Sequence, residues 1–161
     1  MVDFGEFFFC AETATPDALF VALQDMVQAE VGAIIFSCST FDLAAGQSRR
    51  VYTNMPDVYP VSGLKEIVPN AWTQQVLDKR ETFVANTLEE IRQVFPDHAV
   101  IGSLGCGSVI NMPVLVSGRF MGTVNILHTA GYYAQTRVQK MRDLRPAAML
   151  AFCSLTLAEL H

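Results

Sequence analysis

The sequence predicts an α+β domain, a central antiparallel sheet carrying helices, and three observations predict it. Long helical periodicity is confined to the two ends of the chain, strand-like runs come in pairs around turn-forming residues, and the longest such pair, residues 109–128, reads as one hairpin. The order is helix, two strands, a long excursion with helices, a short strand, another excursion, two strands and a closing helix.

Each element has its own signal. "TATPDALFVALQDMVQAEVG" opens with Thr15 as N-cap and Pro16 at the first helical position, sets Leu19, Phe20, Leu23, Met26 and Val27 at helical spacing, and stops at Gly32. "AIIFSCSTFD" and "SRRVYTNM" are rich in β-branched and aromatic residues and flank the turn "LAAGQ", so they read as an antiparallel pair. "PDVYPVSGLKEIVP" holds three prolines and a glycine and reads as a connection. "NAWTQQVLDKR" is a short helix capped by Asn70, "TFVAN" a brief strand, "TLEEIRQVF" a helix ended by Pro96, and "HAVIGSLGCG" a glycine-punctuated loop.

The hairpin "VINMPVLVSGRFMGTVNILH" turns at Ser117-Gly118, and a two-residue turn sets Asn111 opposite Val124 and Ile110 opposite Asn125. On that register the two asparagines project from opposite faces. Pro113 removes a donor, so its strand should be at an edge or bulged there. "TRVQKMRDLRPAAMLAFCSLTLAEL" reads as one long amphipathic helix kinked at Pro146.

Composition narrows the function. A chain of 161 residues is one domain's worth, and residues 1–161 are read as a single unit. Hydrophobic residues make up 51% and charged residues 17%, below the roughly 25% of typical soluble domains. So little charge leaves apolar surface that self-association would cover. A net charge of -5, with no basic run longer than Arg49-Arg50, argues against nucleic acid and anionic membrane as partners. No segment approaches the roughly 18 apolar residues of a membrane span, and the N-terminus has acidic residues where a signal peptide is basic, so a cytoplasmic location is expected. Cys10, Cys38, Cys106 and Cys153 show no CxxC pair, and with three histidines they offer no metal-ligand spacing, so neither metal nor cofactor is expected.

The element order, with "FSCSTFD", "TFVAN", "INMPVLVSGRFMGTVNIL" and "LRPAAMLAF", resembles a GAF domain over nearly the whole chain. The resemblance implies a PAS-related, six-stranded antiparallel sheet, terminal helices on one face, and a pocket roofed by loops and helices on the other. It further implies a small-molecule-binding sensory module, often a homodimer through its terminal helices. With no output domain in the sequence, the domain is expected to act either through a separate output protein or by sequestering a ligand.

Candidate site residues follow from the polar and aromatic side chains on those elements. Trp72, on the first turn of a roofing helix, is either a core anchor or a flat wall for a ligand, and Tyr59 has the same duality. Asn86 is either a helix cap or a ligand contact. Asn111 and Asn125, if buried, need partners from loop backbone or from a ligand. In "FPDHAVIGSLGCGS", Cys106 with His98 could make a thiolate enzyme, with Ser108 beside it, and the same glycines also simply permit a tight loop. Against the free methionine-(R)-sulfoxide reductases of the GAF type, Trp72 stands where a reductase cysteine would be. A bilin-binding member needs a Cys-His pair, but Gly107 follows Cys106, and no "NKFDE"-like cyclic-nucleotide set occurs. The expected ligand-facing set is Tyr59, Trp72, Asn86, Cys106, Ser108 and Asn111, with Cys106 and His98 as the catalytic alternative. Trp72, Tyr59, Asn111 and Cys106 are expected around one cavity. The dimer surface is expected on the closing helix (Leu144, Met149, Leu150, Phe152, Leu155, Leu157, Leu160), completed by Phe20, Met26, Val27 and the aromatics Phe7, Phe8 and Phe9.

Overall fold

Runs of β-branched and aromatic residues build the sheet, and a computed structural model describes it over residues 2–61 and 63–160. His161, one of the three histidines counted above, lies outside the described residues. Six antiparallel strands run in the order β3-β2-β1-β6-β5-β4: β1 (Ile35–Asp42), β2 (Gln47–Thr53), β3 (Leu64–Glu66), β4 (Phe83–Ala85), β5 (Ser108–Val116) and β6 (Arg119–His128).

On one face lie α1 (Gly5–Thr13), α2 (Pro16–Glu30), α6 (Gln135–Asp143) and α7 (Arg145–Glu159). Phe36, Cys38, Ile110, Met112, Val114, Val124 and Ile126 face them and form one core with Phe20, Leu23, Val27, Met141 and Phe152. Alternate residues of the same strands face the other way. There Ile35, Val109 and Leu127 pack with Ala85, Ile91, Ile101 and Cys106 under a roof of α3 (Ala71–Thr73), which continues as a π-helical turn (Gln74–Asp78), α4 (Leu88–Arg92) and α5 (His98–Ser103).

Thr15 caps α2 through a bond from the Ala18 amide, as its position predicts. Asn70 caps α3 in a reciprocal box with Thr73: the Thr73 amide donates to Asn70 Oδ1 at 2.9 Å and the Asn70 amide to Thr73 Oγ1 at 2.8 Å. The tight turn of β5 and β6 places both Ser117 and Gly118 at positive φ, the signature of a type I′ hairpin.

Several expectations need correction. "DFGEFFFC" belongs to a helix, α1, which buries Phe7 and leaves Phe8 and Phe9 exposed. The connection after β2 contains a short edge strand, β3, because Leu64–Glu66 finds the unpaired edge of β2. The glycine-punctuated loop includes the helix α5, and the closing helix is two, broken at Leu144 because Pro146 cannot continue α6 and instead starts α7. Within the expected dimer surface, Phe20, Val27, Leu144 and Phe152 are buried in the chain's own core, so the exposed apolar residues of that layer are fewer, among them Phe9, Leu157 and Leu160.

The hairpin register is also shifted. A β-bulge between Val114 and Leu115 on β5 leaves Met121 of β6 without a partner, so Asn111 pairs with Asn125 and Ile110 with Ile126. Both asparagines therefore face the roof. Pro113 lies two residues beyond Asn111, the last residue of β5 paired with β4, where β5 has itself become the edge. Gly122 follows the bulge, where Phe152 of α7 rests directly on the strand. A Cβ built on Gly122 would collide with the Ser39 carbonyl oxygen and lie 2.5 Å from Phe152 Cε1. Gly122→Ala should therefore lower the unfolding free energy by about 1–3 kcal/mol, the usual range for overpacking. Urea denaturation followed by circular dichroism measures it, and a loss below about 0.5 kcal/mol would show that the contact is soft.

Candidate functional site

The face of the sheet away from the terminal helices and the roof above it enclose a cavity of about 220 Å³. Its floor comes from period-2 alternation: Ser37, Ser39 and Phe41 of β1, Thr123 and Asn125 of β6, and Asn111 of β5 all point into it. A second bulge, between Cys38 and Ser39, turns Arg50 of β2 to the same face opposite Ser39. Trp72 and Thr73 of α3, Phe95 and Asp97 of the second excursion, and Tyr59 of the first complete the walls.

A directed hydrogen-bond chain crosses the floor. Trp72 Nε1–H donates to Asn111 Oδ1 at 2.9 Å, Asn111 Nδ2 donates to Asn125 Oδ1 at 2.9 Å, and Asn125 Nδ2 reaches Ser39 Oγ at 3.3 Å and Ser37 Oγ at 3.4 Å. Each amide both accepts and donates, so the members polarise one another in the same sense. The chain fastens the roof helix to three central strands through side chains alone. Trp72 is also held between Phe41 and Phe95, with ring centroids 6.3 and 6.0 Å away.

The opposite wall carries charged groups. Tyr59 donates to Asp97 Oδ2 at 2.9 Å, and Arg50 sits over the Tyr59 ring at 4.9 Å while Nη1 donates to the Pro60 carbonyl at 3.3 Å. Burial, and then the negative Asp97, push the Tyr59 hydroxyl above its ordinary value, so it stays a donor. Burial lowers Arg50 from its usual range, opposed by Tyr59 and Asp97. Two buried polar atoms among the described residues have no hydrogen-bond partner, Arg50 Nε and Thr123 Oγ1, and both residues line this cavity.

Of the sequence-selected residues, the structure brings Tyr59, Trp72 and Asn111 together here and places the others elsewhere. Asn86 is neither cap nor pocket residue: Thr87 caps α4, and the Asn86 side chain brackets Tyr133, accepting from its amide at 3.0 Å and donating to its carbonyl at 2.9 Å. Ser108 is fully buried and donates to the Thr129 carbonyl at 2.7 Å, closing the end of the hairpin. Cys106 is buried in the apolar cluster beneath the roof, and burial pushes its thiol up, the opposite of an activated nucleophile. His98 Nδ1 bonds the Phe95 carbonyl at 3.0 Å as part of a turn. His128 stacks on Tyr132 with centroids 3.4 Å apart, and Arg137 lies on the other side of that ring. Ser37, Ser39 and Thr123 went unselected although their strands' alternation already placed them on one face; Arg50 had no such signal, because its orientation depends on a bulge.

Among the described residues, no group of three or more His, Cys, Asp or Glu is placed to hold a metal ion, and no helix is long and apolar enough to cross a membrane.

A single antiparallel sheet with terminal helices on one side and a roofed cavity on the other defines an α+β architecture. The chain has the GAF-domain fold. It superposes on the GAF domain of an Acinetobacter phosphoenolpyruvate-protein phosphotransferase with a TM-score of 0.72 at 9% identity, covering 97% of this chain and 94% of that one. It is similarly related to a GAF domain/HD domain protein from Geobacter sulfurreducens, with a TM-score of 0.71 at 14% identity and coverage of 89% and 96%. A third similar structure is the GAF domain of a two-component sensor histidine kinase from Bacillus halodurans, with a TM-score of 0.69 at 13% identity and coverage of 89% and 97%. No family model and no curated protein matches the sequence. Identities this low establish the fold alone.

The floor chain is testable by a double-mutant cycle. Asn111→Leu keeps the branched heavy-atom outline of the side chain but leaves both Trp72 Nε1 and Asn125 Oδ1 unpaired, at an expected cost of roughly 2–4 kcal/mol. Trp72→Phe removes the indole donor while keeping a ring. In the double variant the penalties should be less than additive by about 1 kcal/mol, because one unpaired donor has gone. Strict additivity in guanidinium denaturation would mean that the Trp72–Asn111 bond contributes nothing.

Proposed function

We propose that this chain is a small-molecule-binding sensory domain that works without catalysis of its own, as a cytoplasmic homodimer, and passes its signal to a separate output protein. The observation that carries this reading is the roofed cavity itself: an aromatic wall, a hydrogen-bonded polar floor and a mixed-charge rim converge on a space suited to one small molecule. The π-helical turn that follows Trp72 is a further support, since such turns concentrate at functional sites. Sensory roles of structurally similar proteins, among them a sensor histidine kinase, are consistent with it.

The enzyme alternative finds less support. A thiolate mechanism through Cys106 needs an accessible, acidified thiol, and this one is 4% exposed with its ionisation suppressed by burial. Self-association rests on the outer surface of the terminal-helix layer, where Phe9 is 74%, Leu157 61% and Leu160 72% exposed. Apolar side chains this open on the helices flanking a sheet suit a two-fold contact.

Native mass spectrometry of the full chain tests both halves of the proposal. A species at twice 17.7 kDa that carries, and on activation releases, a small molecule is the expected result; a bare 17.7 kDa species that no metabolite extract shifts would remove both. Leu157→Glu should then convert the dimer to monomer without unfolding it. Catalysis is addressed by alkylation at pH 6.5: iodoacetamide should modify the half-buried Cys10 and Cys153 well before the buried Cys38 and Cys106. Rapid, selective modification of Cys106 would reinstate the enzyme.

A further inference from the structure

The pocket floor consists of two rows that differ in one respect. In the lower row Asn111, Asn125 and Ser37 stand in register on β5, β6 and β1, and their hydrogen bonds close on one another and on Trp72. One step along the strands, Thr123 of β6, Ser39 of β1 and Arg50 of β2 form the upper row, again in register on three adjacent strands. Its two ends are the two buried side-chain polar atoms that have no partner among the described residues: Oγ1 of Thr123, a residue with 0% exposure, and Nε of Arg50.

Buried polar groups are almost always paired, because leaving one unmade forfeits its hydration with no return. Two such atoms at opposite ends of one row in one cavity point to a partner that the chain does not supply. The chemistry of that partner can be read from the row. Arg50 Nε can only donate, Thr123 has a hydroxyl hydrogen to donate, and Ser39, which accepts from Asn125, still has its own. Three donors side by side call for an acceptor, and a guanidinium among them calls for an anionic one.

The charge of that acceptor is set by its surroundings. The ion pair found among the described residues is Arg92–Glu89, so Arg50 has no carboxylate within bridging distance there. Asp97, held by Tyr59, stands in the same wall, and Lys65 and Glu66 offset each other on the lining contributed by β3. One guanidinium with a nearby carboxylate suits a single negative charge better than the double charge of a phosphate. The body of the ligand then lies against Phe41, Trp72 and Phe95. A volume of about 220 Å³ falls below the roughly 300–1,000 Å³ of pockets for drug-sized molecules, which limits that body to a single ring or a short branched chain.

We infer that the pocket takes a small organic monocarboxylate with a flat or branched apolar body, its carboxylate received by the row Arg50–Ser39–Thr123. This inference rests on the pocket-binding reading and names its ligand class. The probes are matched acids and amides of equal shape, phenylacetate with phenylacetamide and isovalerate with isovaleramide, together with inorganic phosphate, titrated calorimetrically into the full chain.

At least one acid should bind about tenfold or more tightly than its amide, and Arg50→Gln should abolish that preference by weakening the acid far more than the amide. Thr123→Val should weaken the same acid yet raise the Tm of the ligand-free protein, because it removes a buried unpaired hydroxyl; the raised Tm also shows that the variant is folded. Amides binding as well as acids, an acid preference that survives in Arg50→Gln, or phosphate binding more tightly than every acid would each overturn the carboxylate assignment and leave the pocket-binding reading intact. Saturable binding by none of the probes at millimolar concentration would overturn this assignment; the pocket-binding reading falls with it only if native mass spectrometry also finds no bound molecule.

Discussion

One extra residue in β6 decides what faces the pocket. Because side chains alternate with a period of two, the bulge at Met121 moves every residue from Gly122 to His128 one place along β5 and so exchanges the faces of this half of the hairpin relative to its partner. Without it Asn111 would stand beside Val124 and Asn125 beside Ile110, each amide isolated among hydrocarbon. With it the two amides meet at 2.9 Å and the floor chain becomes continuous from Trp72 to Ser37 and Ser39. The bulge of β2 does the same for Arg50: Val51 and Tyr52 both pack toward the helices, and Arg50 turns to the pocket. Bulges recur beside functional sites because they re-aim side chains without changing the fold. Here two of them convert an ordinary half-polar sheet face into a row of converging groups.

The roof depends on that floor. Its helices are too short to be stable by themselves, and α3 is held at its start by the Asn70–Thr73 box, in its middle by the Trp72–Asn111 bond, and by Asn70 Nδ2 donating to the Val94 carbonyl of the second excursion at 3.0 Å. The two excursions are tied to each other at the far wall by Tyr59 and Asp97. Most of these ties involve side chains rather than sheet ladders, so the roof has fewer cooperative constraints than the central strands. Local opening there costs less than opening the sheet, which a pocket that admits a ligand needs.

The fold was legible in the sequence wherever periodicity and turn chemistry spoke together. Thr15-Pro16, Asn70 and Ser117-Gly118 fixed three element boundaries, and the alternation in "IFSCSTF" and "GTVNIL" was enough to anticipate which residues face which side of each strand. What could not be read was registration between strands, since a bulge leaves no mark in composition, and the error about Asn111 and Asn125 follows from that alone. The misplacement of Asn86, Ser108 and Cys106 has a different cause. A polar or reactive residue near a glycine-rich turn looks the same in sequence whether it serves a ligand or satisfies backbone, and here Asn86 brackets Tyr133, Ser108 closes on Thr129, and Cys106 fills an apolar gap. Trp72 was the more readable residue because the first turn of a roofing helix has only one inward direction.

The sheet also joins the two faces more closely than its thickness suggests. Gly122, which bears Phe152 of α7 on the helix side, is followed by Thr123, whose hydroxyl faces the pocket, and Ser39 contributes both the carbonyl that crowds Gly122 and the hydroxyl that accepts from Asn125. A ligand that draws the Thr123–Ser39–Arg50 row together would act on the same two backbone segments against which α7 is seated. Phe152 lies in the core with Phe20 of α2, their rings edge to face at 5.4 Å, so this contact joins α7 to α2. Close packing with no Cβ between ring and strand leaves little slack to absorb a shift of the strand. The route from the proposed ligand row to the proposed dimer layer is thus one residue of β6 and one aromatic ring long, and the absent side chain of Gly122 is what keeps it short.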